Sequence, residues 1–311
     1  MPNLMPGIIG SRYVAPPATR AVFAGGDKQA VSVRQSAMQY FDVGTLSNYT
    51  SFGNLTAAAY LFAGCGSATR GVFSGGADAT VLNTIQYITI ATTGNATSFG
   101  TLIAERYAPG AFSSSTRGCI GLGVGGPPNY VNIATIEYIT IATTGNGTSF
   151  GNATSARGYL SGLSSTTRGV FAMGYSTTAF DYVTIATTGN ATSFGNFRTT
   201  QYANGGGGSS TRGLFFGGDP GAPPTTNIID YITIATTGNT TSFGTMTAIK
   251  DEPCGASSPT RVLIAGGSSA SIATNVVEYV TTATTGNGTS FGDLVEAVRG
   301  MGAVSNGHGG L

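Results

Sequence analysis

An all-β chain whose six repeats close into a ring is the fold class the sequence predicts, and three observations predict it. First, two phrases recur six times. Thr-Arg stands at Arg20, Arg70, Arg117, Arg168, Arg212 and Arg261, and Thr-Ser-Phe-Gly surrounds Phe52, Phe99, Phe150, Phe194, Phe243 and Phe291. The Phe-to-Phe steps are 47, 51, 44, 49 and 48 residues, a period that means a solenoid, a propeller or an array. Second, each copy holds four short segments of strand composition and no sustained helical periodicity. Third, residues 299–306 (RGMGAVSN) match residues 106–113, the opening of an internal copy, whereas the first copy has no such segment before Arg20. If that C-terminal segment pairs beside Arg20, the ring closes and no long edge is left bare. The expectation is therefore a six-bladed β-propeller over residues 13–311, with four antiparallel strands per blade, preceded by an N-terminal arm over residues 1–12.

The third copy justifies each strand in turn. Residues 107–115 (YAPGAFSSS) are small and apolar, suited to a crowded position. Residues 117–123 (RGCIGLG) make a short strand ending in glycines. After a loop, residues 133–146 (IATIEYITIATTGN) are rich in β-branched side chains, which pack well on a pleated surface. Gly145-Asn146 reads as a tight hairpin turn. Residues 147–152 (GTSFGN) supply the fourth strand.

Composition narrows the function. Apolar residues are 41% of the chain, enough for a large core despite 49 glycines. Charged residues are 9% and net charge is +1. Of 14 basic residues, six are the Thr-Arg arginines, and Arg106, Arg157, Lys250 and Arg299 sit seven or eight residues after the repeated Phe. Too few cations remain to displace counterions from phosphate, which argues against nucleic acid. Cys65, Cys119 and Cys254 are an odd, widely spaced set and no disulfide framework. No run approaches the ~20 apolar residues of a membrane helix, and the first residues lack a signal-peptide pattern.

Enzyme chemistry finds little to use, and no cofactor or metal is expected. His308 is the single histidine, near the chain end, so a Ser-His-acid triad would rest on it alone. One His with three scattered Cys lacks zinc-ligand spacing. Asp251-Glu252 reads as a solvated turn rather than a glycosidase pair. Gly205 to Gly208 precede no Gly-Lys-Ser/Thr, so they are not a phosphate loop. The six sequons at Asn48, Asn95, Asn146, Asn190, Asn239 and Asn287 coincide with the expected Gly-Asn turns, where Asn tolerates positive φ.

The repeated arginines have two readings: a ring that binds an anion, or structural pairing within each blade. Each blade has a Tyr in its third strand: Tyr40, Tyr87, Tyr138, Tyr182, Tyr231 and Tyr279. The preceding residues are Gln39, Gln86, Glu137, Asp181, Asp230 and Glu278. Four of these six are acids able to neutralise an arginine, so structural pairing is expected. The Ser-Thr-Arg and Thr-Thr-Gly-Asn loops are nearly constant and emerge on one face of a four-stranded meander. The other face carries loops of varied length and content, including Asp27-Lys28, residues 77–82, Pro127-Pro128-Asn129-Tyr130 and residues 219–226. Recognition residues tend to sit on loops held by a rigid scaffold. Asp27, Lys28, Asp78, Asn129, Tyr130 and Asp219 are therefore the candidate partner contacts.

The repeat resembles the kelch family of β-propellers. Its double glycine is matched by Gly25-Gly26, Gly75-Gly76, Gly217-Gly218 and Gly266-Gly267, and its later Tyr by the six tyrosines. The third copy has its glycines at Gly125-Gly126 and the fourth has Met173-Gly174, while Phe stands where the family has Trp. The resemblance implies the fold and little about activity; the copper oxidase of that fold uses histidines this chain lacks. The phrase YITIATTGNATSFG (residues 87–100) also resembles repeats of virion structural proteins from tailed, especially marine, bacteriophages. That second resemblance implies a non-enzymatic structural or adhesion protein located on the virion. It would act as a capsid decoration, tail or fibre component, with other virion proteins or a host-surface glycan or protein as partner. The alternative is a secreted, extracellular bacterial carbohydrate-binding propeller.

Overall fold

A computed structural model describes residues 19–28, 33–221, 226–270 and 272–311. The expected N-terminal arm lies outside them. Six sheets of four antiparallel strands stand around one axis, and no helix occurs among the described residues. In the third blade the order from axis to rim is Gly110–Ser113, Arg117–Gly121, Thr135–Thr140 and Thr148–Asn152.

The ring closes as the matching termini require. Gly302–Ser305 is the innermost strand of the first blade and pairs antiparallel with Arg20–Ala24, Val22 opposite Val304. The first blade is completed by Ala37–Asp42 and Thr50–Asn54. Without the C-terminal strand, Arg20–Ala24 would present its unpaired backbone to the axis.

The strand sequences follow from how blades stack. The second strand has a blade against each face, so both of its faces are apolar: Cys119 and Ile120 are both fully buried. The outer strand buries one side chain, the repeated Phe, against the neighbouring blade. The apolar clusters accordingly lie between blades: Cys65, Val72 and Ile85 of the second blade pack with Ala111, Ile120 and Ile139 of the third. Each buried Phe contributes about 2 kcal/mol as an upper estimate.

The inner strands crowd the axis. A side chain at Gly162 would meet the Ala111 carbonyl, and one at Gly255 the Gly206 carbonyl. Gly205–Gly208 is the innermost strand of the fifth blade. On the constant face the axial channel is crossed by the segment after the last strand. His308 Nε2 lies 2.9 Å from the Gly66 carbonyl, and its Nδ1 accepts from Gly310 N–H. His308 is thus seated at the channel end, and burial lowers its pKa against the opposing effect of the Gly66 carbonyl.

Candidate functional site

The constant face is built of contacts between neighbouring blades. Each Thr-Arg guanidinium lies 4.0–4.6 Å from the ring centre of the Tyr in its own blade. Each of those Tyr rings meets the Phe of the outer strand edge-on, with centres 6.0–6.2 Å apart. Arg117, Tyr138 and Phe150 thus form one column, repeated around the ring. The same guanidinium reaches the next blade. Arg117 Nη1 donates to the carbonyls of Ile185 and Ala186, both at 2.9 Å, and Arg261 closes the circle on Val43 and Gly44. An arginine stacked on one side and bonded to carbonyls at its tip is a poor anion ligand.

Two expectations about these blade-to-blade contacts are corrected. The hairpin turn does not fall at Gly-Asn. In the third blade it falls earlier, closed by Thr143 N–H donating to the Thr140 carbonyl at 3.2 Å. Gly145 and Asn146 continue as an arm laid on the preceding blade: Gly145 N–H donates to the Phe99 carbonyl, and Asn146 Oδ1 accepts from Thr101 N–H at 3.0 Å. Asn95, Asn190, Asn239 and Asn287 repeat this bond, and none of these asparagines has positive φ. The Gly of Thr-Ser-Phe-Gly exists for that arm, because a Cβ on Gly100 would strike the Gly145 carbonyl.

The second correction concerns the acids before each Tyr. They pair with other cations than the Thr-Arg arginines. Glu137 holds Arg106, Asp181 holds Arg157 at 2.8 Å, Asp230 holds Arg198 at 2.5 Å and Glu278 holds Lys250 at 2.8 Å. The Lys250 contact is an ion pair off the hydrogen-bond line. Arg106, Arg157 and Lys250 are at most 1% exposed, and burial lowers the Arg106 pKa while Glu137 opposes the shift. In every case the cation comes from the preceding blade. Where the blade carries an amide, the residue seven after the preceding blade's Phe is apolar: Ala59 precedes the blade of Gln86, and Val298 that of Gln39. The side-chain oxygen still caps the preceding blade, Gln86 accepting from Thr56 N–H at 2.8 Å as Glu137 accepts from Ile103 N–H at 2.7 Å. The coupling was legible by reading these two positions together across the repeats; Arg198, four residues after its Phe, had no such signal.

The opposite face carries the varied loops and the connectors between blades. Of the predicted contacts, Asp27 is buried, with Oδ2 3.8 Å from Arg299 Nη2. Lys28 is ion-paired to Glu296. Asp219 accepts from the Tyr202 hydroxyl at 2.9 Å and caps Gly221. Asp78, Asn129 and Tyr130 are exposed, on the second and third blades. Residues 222–225 of the fifth-blade loop lie outside the described residues.

Around the axis on this face the six connectors are linked head to tail. Leu61, Ala108, Tyr159, Ala203, Glu252 and Gly300 all have positive φ of 49–61°. Each donates its N–H to the carbonyl of the one before, from 2.7 Å for Ala108 to Leu61 to 3.2 Å for Gly300 to Glu252, and Leu61 completes the circle on Gly300. Non-glycine residues rarely hold this conformation, at a cost of roughly 1 kcal/mol each; the closed set of hydrogen bonds offsets it.

This circle rims a chamber lined in part by Tyr159 and Glu252. Tyr159 belongs to an arc of aromatic rings, Tyr107 against Tyr159 at 5.7 Å, Tyr159 against Tyr202 at 6.0 Å, and Tyr175 against Tyr202 at 5.0 Å. Glu252 belongs to a charged group in which Arg299 lies between Asp27 and Glu252. Asp251-Glu252 is therefore no solvated turn. Asp251 Oδ1 accepts from Ser268 Oγ, and the Glu252 side chain is 10% exposed, its pKa pushed up to about 7 by burial against the opposing charge of Arg299. No family model matches the chain, and no curated protein does.

Proposed function

We propose that the protein is a non-enzymatic structural and adhesion component of a tailed-phage particle that binds its partner through the loop face of the propeller. One observation carries the reading: the motifs repeated six times are consumed in blade-to-blade contacts, which leaves the varied loops as the surface with freedom to specialise. That surface displays Tyr130, Val131 and Tyr175, each more than half exposed, beside Asp78 and Asn129. Large exposed side chains on a rigid scaffold mark interaction sites more often than packing. The particle assignment rests on the resemblance of the repeated phrase over residues 87–100 to repeats of virion structural proteins. Partners are other virion proteins or a host-surface glycan or protein.

Mass spectrometry of purified particles tests the location, and absence from every particle overturns it. Tyr130→Ala with Asp78→Lys is expected to abolish partner binding at unchanged melting temperature. A secreted carbohydrate-binding propeller is the second reading, favoured by the tyrosine arc, since sugar rings stack on aromatic faces; glycan binding by a protein found free in culture medium would select it.

A further inference from the structure

The chamber inside the connector circle has a chemistry of its own. Its volume is about 80 Å3, roughly half of the ~150 Å3 that admits a benzene ring. Two buried side chains on its wall hold oxygen atoms with no hydrogen-bond partner, Glu252 Oε2 and Asn204 Oδ1. Asn204 is 7% exposed and its Nδ2 is committed to Ser161 Oγ at 3.0 Å, so the carbonyl oxygen is the group left over. Arg299 Nη1 engages the other oxygen of Glu252, at 3.5 Å. Native interiors rarely leave such acceptors open. Phe62 and Tyr159 complete the wall with aromatic surface. Near this wall Arg299 lies between Asp27 and Glu252, while the Asp251 carboxylate accepts from Ser268.

An open carboxylate oxygen, an open amide oxygen and aromatic faces together select a compact cation with hydrogen atoms to donate. A hexose is too large for the chamber. A bare metal ion finds no group of three or more His, Cys, Asp or Glu side chains placed to hold it among the described residues. We propose that the chamber binds a primary alkylammonium group, carried by a lysine side chain of a partner protein or by a free polyamine. The ammonium would donate to Glu252 Oε2 and Asn204 Oδ1, with its methylene groups against Phe62 and Tyr159. The inference goes beyond the adhesion reading and makes no contact with the exposed loop residues Asp78, Asn129 and Tyr130, so either can fail alone.

The test is calorimetric titration of the full chain with n-butylammonium, with n-butanol as neutral control. Binding with a dissociation constant on the order of 1 mM is expected for so small a ligand, and none for butanol. Glu252→Gln is expected to weaken it about tenfold or more in the folded variant. Affinity should also fall as pH drops below about 7, where Glu252 takes up a proton; Arg299, Asp251, Asp27 and Tyr159 are the charged or titratable groups facing it. A structure of the unsubstituted protein soaked in n-butylammonium should place the nitrogen beside Glu252 and Asn204, whether or not the variant folds. Binding of an Nα-acetyl-lysine amide would point to a protein source, and binding of spermidine without it to a free polyamine. No binding by n-butylammonium, equal binding of butanol, unchanged affinity in a folded Glu252→Gln, or a nitrogen seated elsewhere would overturn the proposal.

Discussion

The two faces of the propeller are made from the ends of the same strands, yet they join neighbouring blades in different ways. On the constant face one solution recurs: Arg stacked on Tyr with its tip on the next blade's carbonyls six times, and a Gly-Asn arm laid over a glycine five times, with Ser47-Asn48 in its place in the first blade. On the loop side the six junctions use three different solutions. Three use a cation seven residues after the Phe with an acid in the next blade, two use an apolar residue with Gln, and one recruits Arg198 instead. A residue that contacts a fixed backbone is held to one identity. A pair of side chains that contact each other can change together, and loop tips beyond them can change singly.

The largest effect should come from splitting a co-varying pair. Glu137→Ala leaves Arg106 buried with its charge uncompensated and should cost about 3–5 kcal/mol. The double change Arg106→Val with Glu137→Gln copies the Val298–Gln39 junction of the same chain, and urea unfolding should show at least half of that loss restored. Equal loss in single and double variants would mean that the junctions are not interchangeable. A smaller contrast sharpens the constant face. Gly100 and Gly145 touch across one junction, but a Cβ on Gly100 strikes backbone while one on Gly145 finds open space. Gly100→Ala should cost about 1–3 kcal/mol, and Gly145→Ala should be neutral or stabilise by about 0.5 kcal/mol. Equal costs would show that the arm is loosely held.

Much of this architecture was legible in the sequence for a physical reason. Blade stacking imposes the same environment on equivalent residues, so period, strand number and ring closure all leave a repeated mark. The match of residues 299–306 to 106–113 placed the closing strand because an innermost strand has the same crowded neighbours in every blade. Contacts between blades were less legible, because the partner lies outside the copy being read. Gly-Asn looked like a local turn when its bonds run to another sheet. Glu137 looked like the mate of Arg117 in its own blade when Arg106 of the preceding connector takes it. The axial chamber left no mark at all. Glu252 and Asn204 occur once each at their positions, and their meeting at the axis depends on connectors from different blades.

Unfolding in urea of Arg117→Ala beside Tyr130→Ala is the most direct test of the division between the faces. Arg117→Ala removes a stacked cation and two bonds to carbonyls, and should lower stability by about 1–3 kcal/mol. Tyr130→Ala removes an exposed side chain and should stay within about 0.5 kcal/mol of the parent. The reverse order, with Arg117 dispensable and Tyr130 required for folding, would contradict the assignment of one face to holding the ring together and the other to recognition.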